Sequence, residues 1–267
     1  MEYIPVKTTD NHNVSKKHPL MEFSWLIATA IALVLVCYFF LGIITEGLVR
    51  FAPNRLESII TPLVNIPVVD PDEYKSLQLK LDSLVEGLAN HHEFFSTNSY
   101  SVGIVESSAA NAFALPGKRL LVTTALVEQS ESEEELAMVL GHELGHIVNR
   151  DPLRAVSRRL GFTVISAFIF GSDGKGALSK ISNLAELSFS RTQETKADTV
   201  GLSLLESAYG HCGGATKFFE KLLEEDLLSG APEFLSTHPD TKKRIKKLKG
   251  DIQETNCPIS ELRPLKY

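Results

Sequence analysis

Two histidines and a glutamate lie close together in the segment "VLGHELGHIVNRD", residues 139–151. Positions four apart share one face of a helix, so His142 and His146 can both reach a single metal ion. Glu143, beside the first histidine, can take a proton from an attacking water and pass it to a leaving amine. The spacing therefore predicts half of a zinc site able to hydrolyse an amide bond, although two histidines on an ordinary surface helix would give the same pattern.

A further ligand has to come from elsewhere in the chain. Asn149 and Pro152 stand where a third histidine of the extended H-x-x-G-x-x-H pattern would be, which excludes the metzincin class. An upstream cysteine ligand is excluded as well, because Cys37 lies within an apolar run. The segment "SRTQETKADTVG" offers a carboxylate: Glu194 could complete a two-histidine, one-glutamate site, and Asp198 could accept a hydrogen bond from a liganding histidine. Taken alone, this segment would also suit an exposed helix face.

The elements that must position these residues can be predicted from the same sequence. A helix is expected from Ser130 or Ser132 to about Asn149, and a second one from Ala177 to about Ala208. Gly141 and Gly145 stand in the middle of the first helix, where each costs about 1 kcal/mol relative to alanine. This cost indicates close approach of another backbone or of a substrate, and tight packing without catalysis would explain it equally well.

Three short runs rich in β-forming residues precede the first helix: Tyr100–Glu106, Asn111–Leu115 and Arg119–Thr124. Pro116-Gly117 predicts a tight turn between the last two, and we expect the three to form a small antiparallel meander. The predicted fold class is therefore α+β and mainly helical, with a small antiparallel sheet beside the helix that carries His142.

The N-terminal part of the chain is unusually apolar. Residues 23–45 contain no charged side chain, and about 20 helical residues suffice to cross a bilayer. A retained membrane anchor is favoured over a cleaved signal peptide, because a polar tail of 22 residues precedes the run and no A-x-A pattern closes it. We expect a flexible tail at 1–22, a transmembrane anchor at 23–45, a linker at 46–70 and a catalytic domain at 71–267.

Charge and cysteine content bear on three further properties: nucleic-acid binding, membrane orientation and disulfide bonding. The net charge of −6 argues against a nucleic-acid partner, which would usually meet a basic face. Three lysines precede the apolar run and two arginines follow it closely, a bias that favours a cytoplasmic N-terminus and an exported catalytic domain. Cys212 and Cys257 could form an internal disulfide, a pairing that the sequence leaves open.

Four ordered segments of the chain resemble the membrane-associated zinc metalloproteases that include the CAAX prenyl endopeptidases and the HtpX-like proteases. The resemblance covers about residues 71–250, and four segments in the family's order are far more specific than the HExxH pattern alone. The matching segments are "NAFALPG" (111–117), "LGHELGHIVNRD" (140–151), "SRTQETKAD" (190–198) and "STHPDTKKRI" (236–245).

This resemblance implies a gluzincin endopeptidase with one zinc ion per chain. It implies His142, His146 and Glu194 as zinc ligands, with Glu143 as general base and acid. It also implies that the strand containing Asn111, Ala112 and Phe113 lies beside the active-site cleft, where an extended peptide could pair with its edge. The better-known members have several membrane spans whereas one is expected here, so misfolded or membrane-adjacent polypeptides fit better than prenylated substrates.

The role of His238 stays open in the sequence. It could stabilise the oxyanion of a tetrahedral intermediate, bind the ion in a resting form, or simply begin a helix together with Pro239. Two other function classes compete with the protease: a membrane-tethered chaperone or binding module with a structural or resting zinc site, and a structural membrane protein without metal. The presence of Glu143 favours the enzyme, because a structural zinc site has no use for a base there.

Overall fold

The computed structural model describes residues 19–64, 66–170, 188–229, 234 and 237–267. The chain divides between Ile44 and Thr45 into two compact units. The predicted class, mainly helical α+β with a small sheet and one N-terminal apolar helix, is confirmed. In chain order the helices and strands are α1 (Pro19–Phe51), α2 (Pro53–Ile60), α3 (Lys75–Ala89), α4 (Glu93–Ser96), β1 (Ser101–Val105), β2 (Ala112–Leu115), β3 (Arg119–Thr123), α5 (Thr124–Gln129), α6 (Glu133–Val148), α7 (Asp151–Phe170), α8 (Arg191–Tyr209), α9 (Lys217–Ser229) and α10 (Thr241–Glu254).

Helix α1 is apolar on all sides. Its 33 residues are long and apolar enough to cross a membrane, judged by length and composition, and its most apolar stretch is not buried within the chain. Large side chains such as Leu26, Leu33 and Phe39 are more than 60% exposed. A helix without a polar face needs an apolar environment on every side, as a bilayer provides.

The segment predicted as a linker, residues 46–70, is largely ordered into helix. It contains the last turns of α1, all of α2 and a short 3-10 turn at Thr61–Leu63. Val49, Ile60 and Val64 are buried, and they pack in one cluster with residues of α7. The burial of these side chains makes this segment part of the packed unit that begins at Thr45.

The sheet has three strands in the order β1-β3-β2, which differs from the predicted meander. β2 and β3 form the expected antiparallel hairpin, closed by a turn in which Gly117 and Lys118 have φ angles of 84° and 57°. β1, however, pairs with β3 in parallel, for example Val102 with Leu120. The sheet is therefore mixed, because the connection after β1 carries the chain across β3 to its far side. This leaves β2 at an edge of the sheet.

Helix α6 packs directly against the backbone of α8. A Cβ atom added at Gly145 would lie 2.8 Å from the Cα of Ala197, and one added at Gly141 would lie 3.1 Å from the Cα of Gly201. From the other side, a Cβ atom at Gly201 would lie 2.8 Å from the amide nitrogen of His142. The glycines predicted to allow close approach do so, and the neighbour is the helix that carries Glu194.

Helix α8 begins later than the sequence predicts. It starts at Arg191, because Ser190 and Gln193 form a reciprocal capping box at its N-terminus. Residues 177–187 of the predicted helix lie outside the described part of the chain. The cap fixes Glu194 in the first turn of α8, and four residues later Asp198 follows on the same face.

The C-terminal segment returns to the start of α6. A disulfide joins Cys212, which follows α8, to Cys257, which follows α10. Further along, the amide of Arg263 donates to the buried carboxylate of Glu134 at 2.9 Å, and Ser132 pairs with Pro264 in an isolated β-bridge. Ser132 is also the N-cap of α6. The disulfide left open by the sequence is thus present, and the chain's last residues help to hold the N-terminus of α6.

We expect Gly145→Ala to destabilise the protein by about 1–3 kcal/mol, because the new methyl group would overlap the α8 backbone. The matched control is Gly250→Ala in α10, where nothing lies within 4 Å of the added Cβ atom. That change should instead stabilise the helix by up to about 1 kcal/mol. Urea unfolding of the two variants beside the wild type measures both effects. Equal stability of the two variants would show that α6 and α8 are not held this closely.

Candidate metal centre

Four side chains bring one ligand atom each to a common point: His142, His146, Glu194 and His238. His142 Nε2 lies 3.1 Å from His146 Nε2 and 3.2 Å from His238 Nδ1. Glu194 Oε1 lies 3.4 Å from His146 Nε2 and 3.1 Å from His238 Nδ1. None of these residues is more than 1% exposed. Helix α6 supplies the first two, the first turn of α8 the third, and the segment before α10 the fourth.

The spacing and chemistry of these atoms fit a zinc ion. Zinc bound tetrahedrally at 2.0–2.1 Å holds its ligand atoms about 3.3–3.4 Å from one another. The donor set of imidazole nitrogens and one carboxylate is of the kind zinc prefers. The sequence predicted three of these ligands, His142, His146 and Glu194, and the structure brings them together. It adds His238 as a fourth donor.

Two aspartates hold the histidines of α6 in place. His142 Nδ1 lies 2.9 Å from Asp198 Oδ1, and His146 Nδ1 lies 2.9 Å from Asp151 Oδ2. With each Nδ1–H donated to a carboxylate, both Nε2 atoms are left with a lone pair for a cation. Asp198 was predicted for this position, whereas Asp151 was assigned no role at the site. Its place at the end of the segment 140–151 was the available signal.

Arg244 of α10 binds both Asp198 and Glu194, partners that could not be predicted from the sequence. Its Nε donates to Asp198 Oδ2 at 2.9 Å, its Nη2 donates to Asp198 Oδ1 at 2.6 Å, and its Nη1 lies 2.8 Å from Glu194 Oε2. The guanidinium carbon stands 4.6 Å from the centre of the Phe219 ring. Arg244 is thereby buried with its charge matched, and it fixes Glu194 and Asp198 relative to each other.

Electrostatics keep these acids charged despite their burial. Burial raises the pKa of Asp198, but hydrogen bonds from Arg244 and His142 outweigh it and hold the pKa at about 2. Burial likewise opposes ionisation of Glu194, whose pKa is nevertheless held well below its usual value by the surrounding histidines. Burial lowers the pKa of His146, yet hydrogen bonds to Asp151 and Glu194 raise it to about 9. A bound cation therefore competes with a proton for the His146 ring.

Glu143 is held by the sheet rather than by the other helices. The amide of Ala114 in β2 donates to Glu143 Oε2 at 2.8 Å. The other oxygen, Oε1, is buried and has no hydrogen-bond partner among the described residues, although His238 Nε2 lies 3.5 Å away. A buried carboxylate oxygen left in this way is available to accept a proton.

Two of the three residues predicted to bind substrate lie beside the donor cluster. Ala112 and Phe113 line a small cleft together with Glu143, Phe189 and His238. Asn111 is fully buried and does not line the cleft, and its Oδ1 accepts the amide hydrogen of Ala112. Asn111 thus binds the main chain of β2 without itself facing the cleft.

The ring of His238 faces the site, as two of the three interpretations of the sequence required: stabilisation of an oxyanion and binding of the ion. Its ring stacks on Phe234 with centroids 4.3 Å apart, and its amide donates to the carbonyl of Phe234. Phe189 stacks on His146 at a centroid distance of 4.0 Å and packs near His238 as well. Aromatic rings therefore pack directly against His146 and His238.

We expect Asp151→Asn to lower zinc affinity by about 10- to 100-fold, because the carboxylate that orients His146 is replaced by a neutral amide. Competition with a chromogenic chelator gives the affinity, and circular dichroism checks that α7 still forms. The matched control is Asp72→Asn, since Asp72 is exposed. Equal zinc affinity in both variants would show that Asp151 has no part in the centre.

Comparison with known proteins places the chain among metallopeptidases. The profile of peptidase family M48 matches residues 75–252. The chain is 34% identical over 180 residues to mitochondrial metalloendopeptidase OMA1 of Arabidopsis thaliana, covering 66% of this chain and 36% of that protein. It is 33% identical over 163 residues to OMA1 of Schizosaccharomyces pombe, covering 58% and 47%. With the β-barrel assembly-enhancing protease of Escherichia coli K12 it shares 28% over 198 residues, covering 69% and 39%.

The chain thus spans about a third to a half of the length of these relatives. The matches support the metallopeptidase family without supporting the CAAX prenyl or HtpX-like groups in particular. The matched region contains all four donor residues and Glu143. The chain belongs to peptidase family M48.

Proposed function

We propose that this protein is a zinc-dependent endopeptidase attached to a membrane by α1, cutting polypeptides in protein quality control. The observation that carries the proposal is Glu143, whose free Oε1 lies beside the donor cluster while its Oε2 is held by Ala114. A purely structural zinc site has no use for an acid in this place. The relatives' names, metalloendopeptidase and protease, support the same class.

Each residue then has a defined task. His142, His146 and Glu194 would hold the zinc ion, which supplies a Lewis acid that lowers the pKa of water and polarises a carbonyl. Glu143 Oε1 accepts the proton of the attacking water and returns it to the leaving amine. The Ala114 amide keeps the carboxylate from rotating, so that the same oxygen serves both transfers. Asp198 and Asp151 hold the two histidine rings in the required tautomer.

Strand β2 suits an extended peptide. The amide of Thr123 donates to the carbonyl of Asn111, so Asn111 faces β3 in this antiparallel pair. Alternation along the strand then directs the main-chain groups of Ala112 and Ala114 away from β3. Their amides are bound by Asn111 Oδ1 and Glu143 Oε2, which leaves their carbonyls to accept hydrogen bonds from a substrate backbone. Pairing of this kind tolerates many sequences, as a quality-control protease requires.

His238 favours a resting state of the same site. With its Nδ1 among the donors, the protein supplies four ligand atoms, the number found in closed zinc sites. We infer that His238 occupies the position that water needs, and that catalysis requires it to move aside. This observation also supports the second candidate function, a membrane-tethered chaperone or binding module with a resting or structural zinc. The side of the membrane on which the unit lies stays a prediction from the charges flanking α1.

Glu143→Gln should retain zinc and lose cleavage by about 10²- to 10⁴-fold, because only the proton transfer is removed. Cleavage of an unfolded model protein by the purified full chain, with and without a zinc chelator, measures the loss. The matched control is Glu128→Gln, an exposed glutamate of α5, which should cleave like the wild type. Unchanged cleavage after Glu143→Gln would contradict the proposed mechanism, and a zinc-bound wild type whose inactivity persists in His238→Ala would favour the binding module.

His238→Ala should raise the basal cleavage rate several-fold and weaken zinc binding, because the fourth donor is lost. The same cleavage assay and a zinc titration measure the two effects together. Phe234→Leu is a companion variant, since it removes the ring stacked on His238 while leaving the imidazole in place. A fall in rate of about 10²-fold or more in His238→Ala would instead support a role in stabilising the oxyanion.

A further inference from the structure

The side chain of Gln193 connects the two helices that carry three of the four metal donors. It lies in the first turn of α8, one residue before Glu194. Its Nε2 donates to Asp151 Oδ1 at 2.8 Å, while its Oε1 accepts from the amide and the hydroxyl group of Ser190 at 3.0 and 2.8 Å. One amide group therefore binds both the residue that orients His146 and the residue that caps α8.

Asp151 depends on this hydrogen bond because it is buried, with only 2% of its surface exposed. Its Oδ2 lies 2.9 Å from His146 Nδ1, and its Oδ1 accepts from Gln193. Arg154 Nη1 lies 3.5 Å from Oδ1, but this guanidinium already donates two hydrogen bonds to Glu46. Without the Gln193 donor, the buried carboxylate would turn towards Arg154 and draw Oδ2 away from the imidazole.

The cap of α8 holds the Gln193 side chain in place. Ser190 is the N-cap, its Oγ accepts the amide hydrogen of Gln193, and the reciprocal bond to Gln193 Oε1 closes a capping box. The amide of Glu194 donates to the carbonyl of Ser190 at 3.0 Å. Phe189, directly before the cap, stacks on the ring of His146. The turn that contains Gln193 is thus fixed on both sides by contacts that belong to the centre.

Of the two residue types that capping boxes use at this position, only glutamine can make both contacts. The box itself requires an acceptor, which glutamate supplies equally well. The positive end of the helix dipole would even favour glutamate. A glutamate, however, has no N–H to donate, and its charge would repel the Asp151 carboxylate. The glutamine at position 193 therefore indicates that the hydrogen bond to Asp151 is needed.

We propose that Gln193 is a positioning residue of the zinc centre. It is not one of the donors, and it acts on His146 through Asp151. By fixing the imidazole, it keeps His146 Nε2 and Glu194 Oε1 at the 3.4 Å separation that one zinc ion can bridge. The proposal rests on the zinc ion of the proposed function but does not require cleavage.

Three variants of the full chain separate the two contacts of the Gln193 amide. Gln193→Glu keeps the acceptor for Ser190 and loses the donor to Asp151. Ser190→Ala loses the cap and keeps that donor, and Gln193→Met loses both contacts without adding a charge. Competition with a chromogenic chelator measures zinc affinity, the visible absorption of the Co²⁺-substituted protein reports the geometry of the site, and urea unfolding of the metal-free protein measures stability. Gln253→Glu, at an exposed position of α10, controls for the added charge.

Both Gln193 variants should lower zinc affinity by roughly three- to tenfold and shift the Co²⁺ absorption bands, because Asp151 no longer holds His146 in one orientation. The loss should be smaller than in Asp151→Asn, since the carboxylate itself remains. Ser190→Ala should unfold at a lower urea concentration than the wild type and keep the wild-type Co²⁺ spectrum. Gln253→Glu should match the wild type in zinc affinity and Co²⁺ spectrum.

Two outcomes would overturn the proposal. Wild-type zinc affinity and Co²⁺ spectrum in both Gln193 variants would show that Asp151 is held without Gln193. An equal loss of affinity in Ser190→Ala and Gln193→Met would show that zinc binding follows the stability of α8 and not the bond to Asp151. A wild type that binds zinc and cleaves nothing would contradict the proposed protease function alone, so the two failures are distinguishable.

Discussion

Backbone contact between α6 and α8 is the constraint on which the rest of the centre depends. His142 and His146 are fixed relative to each other by one turn of helix, but their distance from Glu194 is set by how closely the two helices approach. Gly141 and Gly145 on one side, and Ala197 and Gly201 on the other, remove the side chains that would separate them. At this separation the Glu194 carboxylate of α8 reaches both imidazoles of α6. The short distance between the helices is set by main-chain atoms, which cannot change rotamer as side chains can.

Around this contact, each buried charge is neutralised by a neighbouring buried charge. Asp198 is buried and charged because Arg244 and His142 bind it, and Arg244 is buried and charged because Asp198 and Glu194 surround it. Removal of one member would leave another charge buried without a partner, at a cost of several kcal/mol. The stability of the unit and the geometry of the centre therefore rest on the same side chains. A substitution at any of these side chains would therefore change both the stability of the unit and the geometry of the centre.

Local spacing allowed much of this site to be predicted. The pairs His142 and His146, and Glu194 and Asp198, are each four residues apart, so helical geometry alone puts each pair on one face, and the structure brings the faces together. Asp151 was not found because its contact with His146 depends on the turn after α6, where Arg150 has a φ angle of 57°. The partners of Arg244 and the parallel pairing of β1 with β3 depend on which distant segments meet. The spacing of residues along the sequence does not specify which distant segments pair, so the order of the strands in the sheet was predicted wrongly.

The return of the C-terminal segment to Ser132, Glu134 and the start of α6 has a consequence for how the protein is made. During synthesis the chain emerges with His142 and Glu143 long before Arg244, Cys257 and Arg263 exist. Until those residues have been made, the start of α6 lacks its contacts with Arg263 and Pro264, and Glu194 lacks the guanidinium of Arg244. The donor cluster can therefore reach its final geometry only after all four of its donor residues have been synthesised.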